Sequence, residues 1–96
     1  MAKYVLSPQA RRSLIQIRDY TLKNFGARQT KKYLTMLRKQ MRAVAADPAQ
    51  GQARSDIKPG YFSIRAGKHH IYYRIGDAHI EIIDVLHQSM EPALHL

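Results

Sequence analysis

The sequence predicts an α+β fold, a two-layer sandwich in which an antiparallel helical hairpin packs on one face of a mostly antiparallel sheet. The stretch between residues 61 and 86 is rich in Ile, Tyr and Val and contains two glycine turns, as in consecutive antiparallel strands. Apolar residues between positions 10 and 45 recur three or four apart, which is helical spacing. Burying each apolar stripe and the one apolar sheet face stacks the helices on the sheet.

The N-terminal segment predicts a short strand followed by a helix. Residues 3–6 (KYVL) are strand-like, and Ser7 and Pro8 then supply an N-cap residue and a proline suited to the first helical position. Helical spacing continues to Phe25, and Gly26 is a typical helix stop. We therefore predict a strand over 3–6 and a helix over 8–25.

A second helix is predicted over 28–46, where the apolar spacing resumes and Asp47-Pro48 ends it. One glycine turn between two helices makes an antiparallel hairpin. Residues 47–56 (DPAQGQARSD) read as a polar loop. The predicted element order is thus β-α-α-β-β-β, with the first strand pairing at an edge of the sheet.

The last three strands are predicted over 61–66, 69–75 and 79–86. Alternation of side chains gives this meander an apolar back face that packs on the helices. The back face collects Phe62, Ile64, Ile71, Tyr73, Ile75, Ile83 and Val85. The mixed front face collects Tyr61, Ser63, Arg65, His70, Tyr72, Arg74, Ile80, Ile82, Asp84 and Leu86. A shift of one residue in register would exchange the two faces.

Length and composition bound the possible functions. The 96 residues fit one domain over 1–96, and the absence of Cys excludes disulfides and thiolate chemistry. The sequence contains neither a signal-peptide pattern nor an apolar run of membrane-spanning length, so we expect a cytoplasmic protein with no membrane partner. No phosphate loop, nucleophile triad or zinc pattern occurs, and the adjacent His69 and His70 point to opposite faces of a strand, so we expect no cofactor and no metal.

The net charge of +9 is concentrated in the predicted hairpin. Residues 8–42 contain ten Lys and Arg and a single acid, Asp19. An acidic partner, whether protein or nucleic acid, is drawn to such a surface, although a basic helix face that is merely solvated has the same composition.

The front face allows a metal-free ribonuclease, which needs an acid, a base and cations for the phosphate. The candidate catalytic residues are Arg65, His70, Arg74 and His87. We favour the simpler alternative, in which Arg65 and Arg74 pair with Asp84 across the strands.

Aromatic and apolar residues on the front face also need a partner or a cover. Tyr61 and Tyr72 suit stacking on bases, but such residues are more often covered by a protein partner. Ile80, Ile82 and Leu86 must be covered either by the C-terminal tail folding back or by a partner segment.

Five segments in order resemble the ParE branch of the RelE/ParE toxin superfamily. They are YVLSPQA, the helix end NFG, LRKQMRAVAADP, RAGKHHIYYRI and VLHQSMEPALHL. The resemblance implies the toxin of a bacterial type II toxin–antitoxin pair, with a helical hairpin on an antiparallel sheet. It also implies a ParD-like antitoxin whose C-terminal segment wraps the toxin and whose N-terminal part binds operator DNA, so that the toxin contacts the operator only indirectly.

Within the superfamily, ParE-type members are described as poisons of DNA gyrase, whereas RelE-type members cleave messenger RNA on the ribosome. This chain has Asp84 where the family commonly has Arg, and Gln88-Ser89-Met90 after His87 provides no Tyr. An anion there repels phosphate, which disfavours a ribonuclease.

We therefore expect a ParE-like toxin that inhibits gyrase by binding and is not an enzyme. The alternatives are a RelE-like ribosome-dependent mRNA endoribonuclease and a degenerate member that only binds antitoxin. The predicted antitoxin-binding residues are Arg11, Arg12, Arg18, Tyr61, Tyr72, Ile80, Ile82 and Leu86. The predicted target-binding residues are Arg65, Arg74, His87 and Met90.

Overall fold

Residues 3–96, which the computed structural model describes, form a five-stranded sheet and a long helix that share one core. The elements are β1 (Tyr4–Leu6), α1 (Pro8–Ala46), a 3-10 turn (Pro48–Gln50), β2 (Gln52–Ala53), β3 (Tyr61–Ala66), β4 (His69–Ile75), β5 (Ile80–His87) and α2 (Pro92–His95). The strand order is β1-β5-β4-β3-β2, with β1 parallel to β5 and all other pairs antiparallel. The predicted α+β fold is confirmed, and the first strand lies at the β5 edge.

Gly26 divides α1 into the predicted hairpin. The helix begins after Ser7, whose hydroxyl oxygen accepts a hydrogen bond from the backbone N–H of Ala10 at 2.9 Å. Gly26 has φ 87° and ψ 174°, a backbone conformation that favours glycine and interrupts the helix. The first arm (residues 8–25) and the second arm (residues 27–46) then lie side by side. Arg18 of the first arm and Arg38 of the second therefore line the same groove.

The core lies between α1 and the sheet. Burying each large apolar side chain there contributes about 1.5–3 kcal/mol, before the entropy of ordering it is subtracted. Tyr73 is fully buried, and its hydroxyl donates a hydrogen bond to the carbonyl of Pro48 at 2.7 Å. The buried core residues are Ala10, Ile17, Leu37, Met41, Val44, Ala45, Ala66, Ile71, Tyr73, Ile80, Ile82 and Val85.

A β-bulge in β5 corrects the predicted faces. Tyr72 pairs with Asp84 but Tyr73 pairs with Ile82, so Ile83 is an extra residue on β5. The bulge reverses the alternation that precedes it, and Ile80 and Ile82 therefore lie in the core that contacts α1. Their prediction as front-face residues is wrong.

Two back-face residues also differ from the prediction. Ile83 is half-buried and lies outside the core cluster because it sits in the bulge. Ile75 is 54% exposed because it ends β4 at the rim of the sheet.

The predicted loop and tail are both fixed to the sheet or to α1. Within 47–56, the two residues of β2 pair with β3, and the backbone N–H of Arg54 donates to the carbonyl of Tyr61 at 2.7 Å. In the tail, the backbone N–H of Gln88 donates to the carbonyl of Lys68 at 2.9 Å. The side chain of Gln9 donates to the carbonyl of His95 at 3.0 Å, so the tail folds back onto the start of α1.

Candidate functional site

The outer groove lies between the two arms of α1. Its floor is apolar, and Ile15 and Leu22 in it are 44% and 49% exposed. Arg11, Arg18, Lys31 and Arg38 form its basic rim, while Leu14, Ile15, Leu22 and Leu34 form its floor. Exposed apolar surface on a small protein typically marks an interaction site, and Arg side chains bind carboxylates in two places at once. The groove suits an acidic, amphipathic segment.

The inner cleft, of about 540 Å³, lies between the first arm and the second half of β5. Its lining includes Arg12, Tyr20, His69, Asp84, His87, Ser89 and Met90. The sequence did not predict this cleft, because its walls come from residues about 50 or more positions apart in the chain.

Asp84 joins the first arm to β5 beside the inner cleft. Its carboxylate is buried and accepts hydrogen bonds from Ser13 Oγ and Gln9 Nε2, each at 2.5 Å, and from the backbone N–H of Val85 at 2.8 Å. These donors come from both elements, so the anion at this position stabilises the packing of α1 on β5. The predicted pairing of Asp84 with Arg65 and Arg74 is wrong.

Tyr33 and His69 form a hydrogen-bonded pair that lines a second, adjoining cavity of about 250 Å³. The Tyr33 hydroxyl oxygen accepts a hydrogen bond from the backbone N–H of Lys68 at 3.0 Å, and the hydroxyl lies 2.5 Å from His69 Nδ1. The hydroxyl can therefore donate to Nδ1 of a neutral His69 whose proton is on Nε2, or accept from Nδ1 with its second lone pair, and the tautomer of His69 decides between the two. The ring of His87 lies edge-on to that of His69, with centroids 5.3 Å apart.

Burial, followed by the nearby charges of His87 and His70, lowers the pKa of His69 to about 4. An unfolded His has a pKa near 6.5, so between these values the unfolded chain binds more protons than the folded one. The contribution of His69 to the free energy of unfolding is therefore fully present above about pH 6.5 and is lost as the pH falls towards 4.

We expect acidification from pH 7 to pH 4.5 to lower the free energy of unfolding by about 1–2 kcal/mol through His69, a value reduced for solvent screening because the side chain is only half-buried. Urea unfolding at the two pH values, compared between the parent protein and His69→Gln, measures this contribution. The matched control is His79→Gln, at an exposed position in the turn between β4 and β5. An identical loss at low pH in the parent and in His69→Gln contradicts the assignment.

The four predicted ribonuclease residues do not meet at one place. Arg65 and His70 are cross-strand neighbours, but Arg65 donates to the carbonyl of Gly67 and to the side chain of Gln88. Arg74 lies four residues further along β4 than His70 and pairs with Glu81 at 2.6 Å. His87 instead joins His69 at the two cavities beside the first arm.

The sequence analysis did not single out two other residues, Arg54 and Tyr33, whose side chains could take part in binding. Arg54 lies over the ring of Tyr72, 5.8 Å from its centroid, and forms an ion pair with Asp56 at 3.0 Å. Tyr33 has the helical spacing of a core residue, so the pattern gave no sign that its hydroxyl reaches His69.

The predicted antitoxin-binding residues separate into three groups by their exposure. Arg11, Arg12 and Arg18 are exposed as expected, although Arg12 faces the inner cleft and Arg18 also pairs with Asp19. Tyr61 is half-buried beneath the ammonium group of Lys58. The remaining residues are at most 4% exposed and are not offered to a partner: Tyr72, Ile80, Ile82 and Leu86.

Among residues 3–96, no three His, Asp or Glu side chains are grouped as metal ligands. Within the same residues, no helix combines the length and the apolar character needed to span a bilayer.

Residues 4–92 match the family model described as ParE toxin of type II toxin-antitoxin system, parDE. Toxin ParE1 of Mycobacterium tuberculosis (strain ATCC 25618 / H37Rv) is 38% identical over 91 residues, covering 94% of this chain and 93% of the relative. Toxin ParE1 of Caulobacter vibrioides is 35% identical over 96 residues, covering 100% of this chain and 99% of the relative.

Two solved structures share the fold. The chromosomal ParDE TA system from P. aeruginosa matches with a TM-score of 0.78 at 18% identity, over 91% of this chain and 96% of that one. The YoeB dimer from Staphylococcus aureus matches with a TM-score of 0.58 at 22% identity, over 90% and 95%. Identities this low establish the architecture alone.

Proposed function

Because the chain belongs to the ParE toxin family of type II toxin–antitoxin systems, we propose that it inhibits DNA gyrase by binding and is neutralised by a ParD-like antitoxin. The observation that carries the antitoxin half of this proposal is the outer groove, in which exposed apolar side chains lie between basic rims. The gyrase half rests on the family resemblance. The complex forms in the cytoplasm, and operator sequence is read by the antitoxin.

The antitoxin segment is an amphipathic helix or extended strand that alternates acids with Leu, Phe or Trp. Its apolar residues cover Ile15 and Leu22, which bury further surface only when a partner binds. Its carboxylates meet the guanidinium groups of Arg11, Arg18 and Arg38 at the rim. Apolar anchors supply most of the affinity, and the rim charges mainly accelerate association.

The proposed inhibition is non-catalytic. Catalysis on RNA requires an acid, a base and phosphate-binding cations around one reacting group. Here Arg74 is held by Glu81, and His87 lies beside the first arm rather than beside Arg65 and His70. The exposed Arg65, Arg74 and Met90, together with His87, remain the proposed target-binding residues.

A second candidate is a RelE-like ribosome-dependent mRNA endoribonuclease. It is favoured by the His69–His87 pair, whose rings are 5.3 Å apart beside the cleft that Arg12 also lines. Two imidazoles at this separation suit general acid–base chemistry.

Pulse labelling of a bacterial host after toxin induction separates the candidates. A gyrase inhibitor stops thymidine incorporation before methionine incorporation, whereas a ribosome-dependent nuclease stops methionine incorporation first. A third outcome, continued growth with intact antitoxin binding, indicates a member that has lost its toxicity. Either of the last two results overturns the gyrase proposal.

Replacing Arg11, Arg12 and Arg18 together by Gln should slow antitoxin association about tenfold at low salt, because the exposed cations of the first arm steer the encounter. All three are exposed, so the melting temperature should not change. Stopped-flow association measured between 50 and 300 mM salt checks the rate and its salt dependence. The matched control removes the same charge outside the hairpin, at Lys3, Lys58 and Lys68. If the association rate falls equally in both variants, it depends on the net charge of the protein and not on the cations of the first arm.

A further inference from the structure

A row of cations lies along the second arm, on the side of the helix opposite its buried face. Starting from buried Leu37, helical periodicity places residues 28, 32, 35, 39 and 42 on the opposite side of the helix. We call this row the basic stripe, and it consists of Arg28, Lys32, Thr35, Lys39 and Arg42. All five side chains are exposed. The intervals of four, three, four and three residues place one of them on each turn.

The basic stripe is uncompensated. Residues 28–46 contain no acid. The ion pairs within the described part of the chain join Arg18 to Asp19, Arg54 to Asp56, and Arg74 to Glu81, so none involves the stripe. Arg28, Lys31, Lys32 and Thr35 also line one shallow depression, whose surface is formed almost entirely by the aliphatic parts of these side chains. Lys and Arg side chains are the usual protein ligands of phosphate groups, and the stripe presents four of them in one exposed row.

An acidic protein segment is a poor occupant, because the stripe has no apolar residue to anchor it. Exposed apolar side chains that could anchor such a segment lie outside the stripe, among them Ile15 and Leu22 in the outer groove. A straight row of regularly spaced positive charges is complementary to the regularly spaced negative charges of a nucleic-acid backbone. From residue 28 to residue 42 the stripe extends about 21 Å at 1.5 Å per residue, a length over which duplex DNA presents about twelve phosphates.

We propose that the basic stripe binds the phosphate backbone of duplex DNA directly and without sequence preference. The major groove of B-form DNA admits the pole of an α-helix, whereas the deep, narrow major groove of duplex RNA does not. Contacts from Lys and Arg to phosphate oxygens carry no sequence information, so a stripe bound to the backbone positions the protein rather than selecting a site. The inference stands apart from the gyrase proposal, because the contact is with bare DNA.

Fluorescence anisotropy with a labelled 30-base-pair DNA duplex, in the absence of gyrase and antitoxin, tests the inference. Four phosphate contacts predict a slope of about −3.6 in the logarithm of affinity against the logarithm of salt concentration. The stripe variant carries Lys32→Gln, Lys39→Gln and Arg42→Gln. Its slope should fall to about −0.9, since about one contact remains, and its affinity at 50 mM salt should fall at least tenfold. Gln has nearly the helix propensity of Lys and Arg, so circular dichroism should show an unchanged melt.

The matched control carries Lys3→Gln, Lys58→Gln and Lys68→Gln, which remove the same charge outside the hairpin. The proposal predicts that the control keeps its slope and binds DNA within about threefold of the parent protein. It is overturned if the two variants lose affinity equally, or if a 30-base-pair RNA duplex binds as tightly as DNA. It is also overturned if the stripe variant binds DNA normally but loses affinity for the antitoxin, since the stripe is then part of the antitoxin site.

Discussion

Replacing Asp84 by Ala is expected to lower the free energy of unfolding by about 3 kcal/mol. The carboxylate is 1% exposed and accepts hydrogen bonds from Ser13, Gln9 and the backbone of Val85. A hydrogen bond to a charged group contributes about 1.5–3 kcal/mol, and the favourable removal of a buried charge offsets part of the sum. For a chain of this length the melting temperature should fall by about 12–24 °C.

Urea denaturation and thermal melts measure the Asp84→Ala effect. Asp84→Asn keeps the shape and one acceptor oxygen, so it should cost about half as much, while Ser13→Ala removes a single donor and should cost about 1–2 kcal/mol. The free energy of unfolding of Asp84→Ala could instead lie within about 0.5 kcal/mol of the parent value, which is the scatter of surface substitutions. The carboxylate would then not stabilise the packing of α1 on β5. In that case its position beside the inner cleft requires another explanation.

The combined variant Ile15→Asn and Leu22→Asn is expected to weaken antitoxin binding about 100-fold. Both side chains are about half exposed in the free protein, so the partner removes the rest of their surface from water. Losing about 1–1.5 kcal/mol at each position, together with leaving a polar amide in an apolar contact, gives a loss near 3 kcal/mol. Isothermal titration calorimetry with the cognate antitoxin measures it.

Val5→Asn with Ile75→Asn is the matched control, because these residues are 43% and 54% exposed but lie on the sheet, outside the outer groove. The control should bind antitoxin as tightly as the parent protein. Weakening in the control but not in the groove variant would show that the antitoxin docks on the sheet. The outer groove would then be excluded as its principal site.

The elements of the fold are readable from local signals. Ser7 and Pro8 begin α1, and Gly26 divides it with a positive φ. Gly67 also has a positive φ and turns β3 into β4. Each of these signals lies within a few residues of the boundary that it determines, so no knowledge of the tertiary structure is needed.

The face assignment of β5 failed at the bulge, because the sequence around it does not distinguish it from regular strand. Glu81 separates Ile80 from Ile82 in regular alternation. A bulge adds one residue to a strand and exchanges the faces of every residue beyond it. A uniform period of two therefore placed Ile80 and Ile82 on the wrong face.

The candidate site depends on contacts that no local pattern contains. Asp84 meets residues 71 and 75 positions away, and Tyr33 meets His69 across 36 positions. Residues so far apart in the chain meet only after β1 has paired with β5, because that pairing directs α1 across the second half of β5. The basic outer surface, in contrast, was predictable, because exposed cations follow from helical spacing and composition alone.

The central claim is that this protein inhibits gyrase by binding, and the most direct test is incubation of the purified protein with gyrase, ATP and supercoiled plasmid. After detergent and protease treatment, linear plasmid should accumulate with toxin concentration, and without protease the DNA ends should remain linked to protein. Stoichiometric antitoxin should abolish both signals. The account is contradicted if gyrase supercoils the plasmid normally while the same preparation cleaves messenger RNA on translating ribosomes.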